Sequence, residues 1–120
     1  MRAVILTLIF ALPLLSYTTI SGGEPRVDIG GKYSGEISKE EIYKSPELNA
    51  QGFEIASFTF VIQRDTMVIQ KRGEGSKLSQ EMLDLIREAE SGQKLYFEKI
   101  KIKSKGDQDL KAPNLVLVVS

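Results

Sequence analysis

Four lysines at alternate positions, Lys99, Lys101, Lys103 and Lys105, are the clearest candidate binding residues in this sequence. Alternate side chains of a β-strand point to the same face, so the spacing predicts a row of positive charge along one strand. Such a row suits an acidic partner, a phosphate or an anionic glycan. The blander interpretation is a solvated face whose lysines discourage edge-to-edge aggregation, and the sequence favours it. The two interpretations are compatible.

The acidic residues offer weaker candidates for chemistry. Glu40 and Glu41 are adjacent, as in a general acid–base pair, but they also fit the first turn of a helix, where carboxylates are favoured. Asp107 and Asp109 follow Gly106 in a pattern faintly like a calcium loop, yet a loop of the EF type needs about twelve residues and a final bidentate glutamate. The sequence favours helix capping for the first pair and turn chemistry for the second.

The composition excludes most catalytic and metal-binding classes. The 120 residues contain no cysteine and no histidine, so thiolate nucleophiles, the usual general base and the commonest metal ligands are missing. Neither a P-loop nor a dinucleotide-binding glycine motif occurs. Lys plus Arg and Asp plus Glu each number 16, which leaves no basic footprint for nucleic acid. We therefore predict no catalytic residue, no metal ligand and no cofactor site, and expect that the protein is not an enzyme.

The N-terminus has the three-part layout of a secretory signal peptide. Arg2 precedes an apolar run from Ala3 to Leu15, and small and polar residues follow. An uncleaved anchor is the alternative, but the run is shorter than the ~20 residues that span a bilayer. We predict a signal peptide over residues 1–21, cleaved near Ser21, and a periplasmic or secreted protein. No membrane span is then expected, and without cysteine its stability must come from packing.

The remaining chain reads as a linker over residues 22–29 and one domain over residues 30–120. Ser38 and Glu41 form a capping-box pattern that starts a short helix, which Pro46 ends. A second helix is predicted over residues 80–91, with Gly92 as its left-handed C-terminal residue. Its apolar stripe is Met82, Leu83, Ile86 and Ala89.

The strands alternate apolar and polar residues, with interruptions. Residues 52–64 form the strongest strand, and a shift of phase at Ala56-Ser57 indicates a β-bulge. A hairpin returns along residues 67–71 into a glycine-rich loop, Gly73-Glu74-Gly75-Ser76, and a second shift of phase lies near Glu98. Residues 115–119 are apolar on both phases, so this strand is predicted to be buried on both faces. The fold class is mainly β (α+β), an antiparallel sheet or sandwich-like domain with two short helices.

With these elements placed, the chain resembles a known family. The resemblance lies in Gly31-Lys32, the capping box, the segment from Ala56 to Thr59, and Gly92-x-Lys94-Leu95-Tyr96-Phe97-Glu98 followed by Ile100. It covers nearly all of the chain after the predicted signal peptide. The family is the C-terminal domain of GldM/PorM, the gliding-motility and type IX secretion protein of Bacteroidota.

The resemblance implies an exported, non-catalytic module like the periplasmic tip domain of that machinery, which contacts an envelope or secretion-system protein. Full-length members also carry an inner-membrane helix and a dimerising stalk, which have no counterpart in this sequence, so energy transduction is not implied. The alternative is a secreted β-domain that binds an anionic ligand or glycan and is unrelated to secretion. The sequence leaves both open.

Overall fold

The computed structural model describes residues 26–104, 106 and 108–120. The predicted signal peptide over residues 1–21, its cleavage near Ser21, and Lys105 and Asp107 lie outside the described residues.

Ten elements follow one another along the described chain. They are β1 (Val27–Asp28), β2 (Glu36–Ile37), α1 (Lys39–Lys44), β3 (Asn49–Ala50), β4 (Glu54–Arg64), β5 (Met67–Glu74), α2 (Gln80–Arg87), β6 (Lys94–Lys103), β7 (Asp109–Lys111) and β8 (Leu115–Val119). Strands β1 and β3 form a small antiparallel ribbon, and the others form a six-stranded sheet in the order β2-β8-β6-β4-β5, with β7 also paired to β6. All of its pairings are antiparallel except β2 with β8. The predicted mainly β domain with two short helices is confirmed.

One hydrophobic core lies against a single face of the large sheet. Buried side chains of β4, β6 and β8 join buried residues of both helices and of the ribbon in one cluster. Three phenylalanines form its centre: the ring of Phe97 lies 5.3 Å from that of Phe60 and 6.2 Å from that of Phe58. We call the sheet face that joins this cluster the inner face and the opposite one the outer face.

Strand β8 corrects one expectation. It lies inside the sheet between β2 and β6, but it is not buried on both faces. Leu115, Leu117 and Val119 are buried, whereas Val116 is 37% exposed. The prediction that β8 is buried on both faces was wrong, because both helices join the core on the inner face. The apolar residues that alternate with the buried ones therefore face outward.

Two irregularities occur where the sequence predicts them. The register of β4 against β6 shifts between Ile55 and Ser57, which places the first bulge at the expected position. The second shift lies between Ser57 and Thr59, whose partners on β6 are Lys101 and Glu98. Strand β6 has one more residue than β4 in this interval. The bulge includes Lys99, whose φ of +50° lies in the left-handed region. A residue in that conformation is typical of a bulge that usually carries glycine.

Helix α1 begins with the predicted capping box. The backbone N–H of Glu41 donates to Ser38 Oγ at 3.1 Å, and the N–H of Ser38 donates to Glu41 Oε1 at 3.2 Å. The flanking Ile37 and Ile42 are both buried, as a hydrophobic staple requires. The carboxylate of Glu41 is thus occupied in capping the helix, which favours that interpretation of the acidic pair over acid–base chemistry.

The capping box makes stability depend on pH. The Ser38 N–H bond lowers the pKa of Glu41 below its ordinary value of 4.5, with smaller help from Lys32 and Lys44 and against a desolvation effect. A lowered folded-state pKa means that the contribution is present above the ordinary value and is lost as pH falls through the folded one. We expect Glu41→Gln to be less stable than wild type at pH 7, with the gap narrowing as the pH falls through the lowered pKa of Glu41. Urea melts across this pH range measure this; a constant gap would contradict it.

Helix α2 is shorter than predicted. It starts after the Ser79 cap, as expected, but ends at Arg87 rather than near residue 91. Gly92, at φ +91°, lies in the turn before β6, where its N–H donates to the carbonyl of Val119 at 2.6 Å. The terminal carbonyl of Arg87 instead accepts a bond from Lys39 Nζ at 2.6 Å. A lysine of α1 therefore satisfies the C-terminus of α2, a long-range contact that sequence spacing does not reveal.

Gly73 is buried inside β5 rather than part of a loop. It pairs directly with Phe58 on β4, and a Cβ built on it would lie 2.5 Å from Cζ of that ring. The ring covers the glycine, as in the aromatic rescue of glycines in edge strands.

Gly73→Ala should destabilise the domain by ~1–3 kcal/mol, the usual cost of overpacking, because Phe58 is buried and cannot swing freely. Gly106→Ala is the matched control, since only Ser104 Oγ comes within 4.0 Å of its built Cβ. Denaturant melts of both variants give the comparison. Equal midpoints would mean that the Phe58 ring yields at no cost.

Candidate interaction surface

The described lysines of the predicted row are exposed on the outer side of β6. Lys101 and Lys103 alternate with the buried Ile100 and Ile102, and Lys99 is exposed at the bulge. The row is therefore present over residues 99–103, but it is not straight, because the bulge shifts Lys99 relative to the other two.

A further lysine joins this group across the sheet. Lys111 of β7 pairs directly with Lys101 of β6. Directly opposite residues of an antiparallel pair have Cα atoms about 4.5–5.5 Å apart and side chains on the same face. We call Lys99, Lys101 and Lys111 the lysine cluster. Lys111 was missed from the sequence, because a three-residue strand carries too little alternation to fix its register.

Lys103 has different neighbours. Its partners in the register are Glu54 on β4 and Asp109 on β7, so a carboxylate stands on each side of it. Lys101, by contrast, lies between Ser57 and Lys111. The three described lysines of the row are thus not equivalent, and the uncompensated charge lies at the lysine cluster.

Ion pairs elsewhere on the described chain do not involve the cluster. Those with N–O distances within 4.0 Å join Arg64 to Glu88, Lys71 to Glu81, Arg72 to Glu74 and Arg87 to Asp84. All are substantially exposed and contribute little to stability. Within the described residues, the amines of the lysine cluster have no carboxylate partner at that distance.

An apolar row crosses the outer face beside these charges. Val61 of β4 pairs with Tyr96 of β6, and Tyr96 pairs with Val116 of β8. Val61 and Tyr96 are half-buried and Val116 is exposed. We call these three residues the apolar row. Thr59 and Glu98, which pair with each other, separate it from the lysine cluster.

Ser57 is the buried polar residue of the described chain, at 5% exposure. It pairs with Lys101 on one side and with Glu74 of β5 on the other, so it lies on the outer face among long charged side chains.

A separate cleft of about 650 Å³ opens between the ribbon and the start of β4. Its lining includes Asp28, Asn49, Gln51, Phe53 and Glu54. The amide of Asn49 lies 3.5 Å from Asp28 Oδ1, which also accepts the N–H of Gly31 at 3.1 Å. Two carboxylates, two amides and one aromatic ring make this cleft polar and acidic.

Over residues 26–104, 106 and 108–120, no three acidic side chains gather closely enough to hold a metal ion. No helix in the same part of the chain has the length and apolar character needed to cross a bilayer.

Comparison with known proteins agrees with the resemblance noted in the sequence. Residues 24–119 match the family model of the GldM C-terminal domain. No curated protein matches the chain significantly. The family match spans the ribbon, both helices and the whole six-stranded sheet up to the end of β8. The chain therefore belongs to the GldM C-terminal domain family.

Proposed function

We propose that the protein is an exported, non-catalytic interaction module that contacts another protein of the gliding and type IX secretion machinery in the envelope. Membership of the GldM C-terminal domain family supports a role in this machinery. The resemblance to the periplasmic tip domain supports a location in the periplasm and a role in contacting another protein.

The observation that carries a binding role is the outer face of the sheet. Its inner face is covered by helices and ribbon, whereas the apolar row stays half-buried or exposed beside the lysine cluster. Protein interfaces commonly combine an apolar centre that includes tyrosine with a charged, solvated rim. The outer face offers both parts on a rigid sheet.

A photo-crosslinking amino acid at position 116 tests this role in living cells. We expect a discrete crosslinked product from position 116, identified by mass spectrometry as an envelope protein. The matched control is position 40, exposed on α1, which should give no such product. Equal products from both positions, or none from position 116, would contradict a binding role for the outer face.

Export is tested by the mass of the mature chain. If residues 1–21 are a signal peptide, protein purified from the periplasmic fraction should lack roughly 16–23 N-terminal residues. Intact-mass spectrometry gives the cleavage position directly. Recovery of the full-length chain from the cytoplasm would contradict both export and the periplasmic role.

The acidic cleft supports a second candidate, a secreted domain that binds a glycan. Carboxylates, amides and the ring of Phe53 provide hydrogen-bonding groups and an apolar surface for a neutral sugar. Asp28 and Glu54 disfavour an anionic ligand at this position. NMR titration with neutral oligosaccharides decides: shifts confined to the amides of residues 48–55 would favour this function over protein contact.

A further inference from the structure

We infer that the lysine cluster is a recognition site for carboxylate side chains on an acidic segment of a partner protein. This inference rests on the proposed function and names the chemistry of the partner. Lys99, Lys101 and Lys111 form the site, Lys103 is excluded from it, and the apolar row adjoins it.

The pairing of Lys101 with Lys111 is the first observation that carries the inference. Like charges placed directly opposite each other on neighbouring strands destabilise a sheet. Other charges of the sheet lie beside opposite charges: Lys103 stands between Glu54 and Asp109, and Arg72 binds Glu74 at 2.6 Å. A bound carboxylate removes the repulsion between Lys101 and Lys111, so it makes the folded arrangement more favourable than it is in the free domain.

The backbone of Lys99 is the second observation. Its φ of +50° is a conformation that glycine and asparagine adopt far more readily than lysine. Non-glycine residues held in sparsely populated backbone conformations are often found at functional positions. The bulge leaves Lys99 exposed two residues before Lys101, so a third lysine is available to a partner at this part of the sheet.

The spacing of the amines indicates protein carboxylates rather than one phosphate group. Lys101 and Lys111 are separated by about 5 Å across the sheet, and Lys99 lies two residues before Lys101 at the bulge, so the three side chains leave the backbone at separate points. Side chains at these separations match several carboxylates on one surface. A phosphate site converges backbone N–H groups and side chains on a single point, an arrangement typical of helix N-termini and nests.

The neighbouring apolar row favours a protein over a free acidic polymer. Val61, Tyr96 and Val116 lie on the same face, separated from the lysine cluster by the pair Thr59 and Glu98. A partner that places apolar side chains on this row and acidic ones on the lysine cluster is complementary to both parts. Rim charges of this kind increase the rate of association and make binding sensitive to salt.

Carbodiimide crosslinking tests the inference, because it joins a lysine amine only to a carboxylate in direct contact. Periplasm containing the wild-type mature protein is treated, and the linked peptides are sequenced. We expect links from Lys99, Lys101 or Lys111 to aspartate or glutamate of one other protein. Lys44 and Lys77, which are exposed outside the sheet, are the internal controls and should carry few such links. Equal links from controls and cluster would overturn the inference.

Charge variants provide the second measurement. Lys101→Gln with Lys111→Gln should weaken binding of a deca-glutamate peptide about three- to tenfold, as expected for the loss of exposed ion pairs. Lys44→Gln with Lys77→Gln removes the same charge from two exposed positions outside the sheet and should leave that binding unchanged. Because the repulsion is relieved, the cluster variant should melt no lower than wild type. Unchanged peptide binding in the cluster variant would overturn the inference.

The outcomes separate this inference from the proposed function. If the photo-crosslinker at position 116 captures no envelope protein, the proposed function fails whatever the lysines do. If it captures the same partner from wild type and from the cluster variant with equal yield, only the inference fails. Stronger binding to vesicles of anionic phospholipid than to the peptide would also overturn it, in favour of a membrane surface.

Discussion

Replacing Phe97 with alanine should lower the free energy of unfolding by about 3–5 kcal/mol. Phe97 is fully buried on the inner face of β6, and its ring contacts those of Phe58 and Phe60. Truncation leaves a cavity at the centre of the sheet, where strands on both sides prevent collapse. Because small domains have a total stability of about 5–15 kcal/mol, this single change should leave the protein marginal.

Urea denaturation followed by circular dichroism measures the effect, and Phe97→Leu is the matched control. Leucine keeps much of the buried volume and should cost clearly less than alanine. The neighbouring Tyr96→Ala tests the sidedness of β6, since Tyr96 is half-buried on the outer face. It should be less destabilising than Phe97→Ala while weakening partner capture at position 116. A larger stability loss for Tyr96→Ala would contradict the assignment of the two faces.

The local features of the fold could be predicted because they depend on neighbouring residues. The Ser38–Glu41 capping box and both bulges are determined over a few positions, and each was placed correctly. The bulge near Glu98 was visible because the apolar phase changes between Phe97 and Ile100. The fold class followed from the order of these elements.

Features that depend on distant residues could not be predicted in this way. Gly73 looked like part of a loop because the sequence does not show that Phe58 covers it. Val116 and Val118 made β8 look buried on both faces, because hydropathy alone cannot tell a covered face from one left free. Lys111 lies beside Lys101 because β7 pairs with β6, and no local sequence pattern indicates that pairing.

The sequence therefore predicted only part of the candidate site. Spacing identified the lysines of β6 but treated Lys99, Lys101 and Lys103 as equivalent. The register distinguishes them, because Lys103 lies between two carboxylates and Lys101 lies beside another lysine. Strand pairing thus decides which charges are compensated, and a single sequence does not contain that pairing.

The second large effect on stability is expected in helix α2. The structure also corrects the predicted apolar stripe of this helix. The sequence indicated Met82, Leu83, Ile86 and Ala89 as the apolar stripe of this helix. Met82 and Ile86 are fully buried, whereas Leu83 is only partly buried at the margin of the core. The carbonyl of Leu83 lies 3.5 Å from the hydroxyl of Tyr43, on the side of α2 that meets α1.

Ile86→Ala should therefore destabilise the domain by about 2–5 kcal/mol, the range for a fully buried isoleucine. Leu83→Ala should cost distinctly less, because its side chain is partly solvated already and leaves a smaller cavity. Chemical denaturation of both variants under identical conditions gives the comparison, and Leu85→Ala, also partly buried, is a control expected to resemble Leu83→Ala. If Leu83→Ala were the more damaging change, α2 would pack on the sheet through a different stripe. The assignment of an inner face covered by α2 and an exposed outer face would then be wrong.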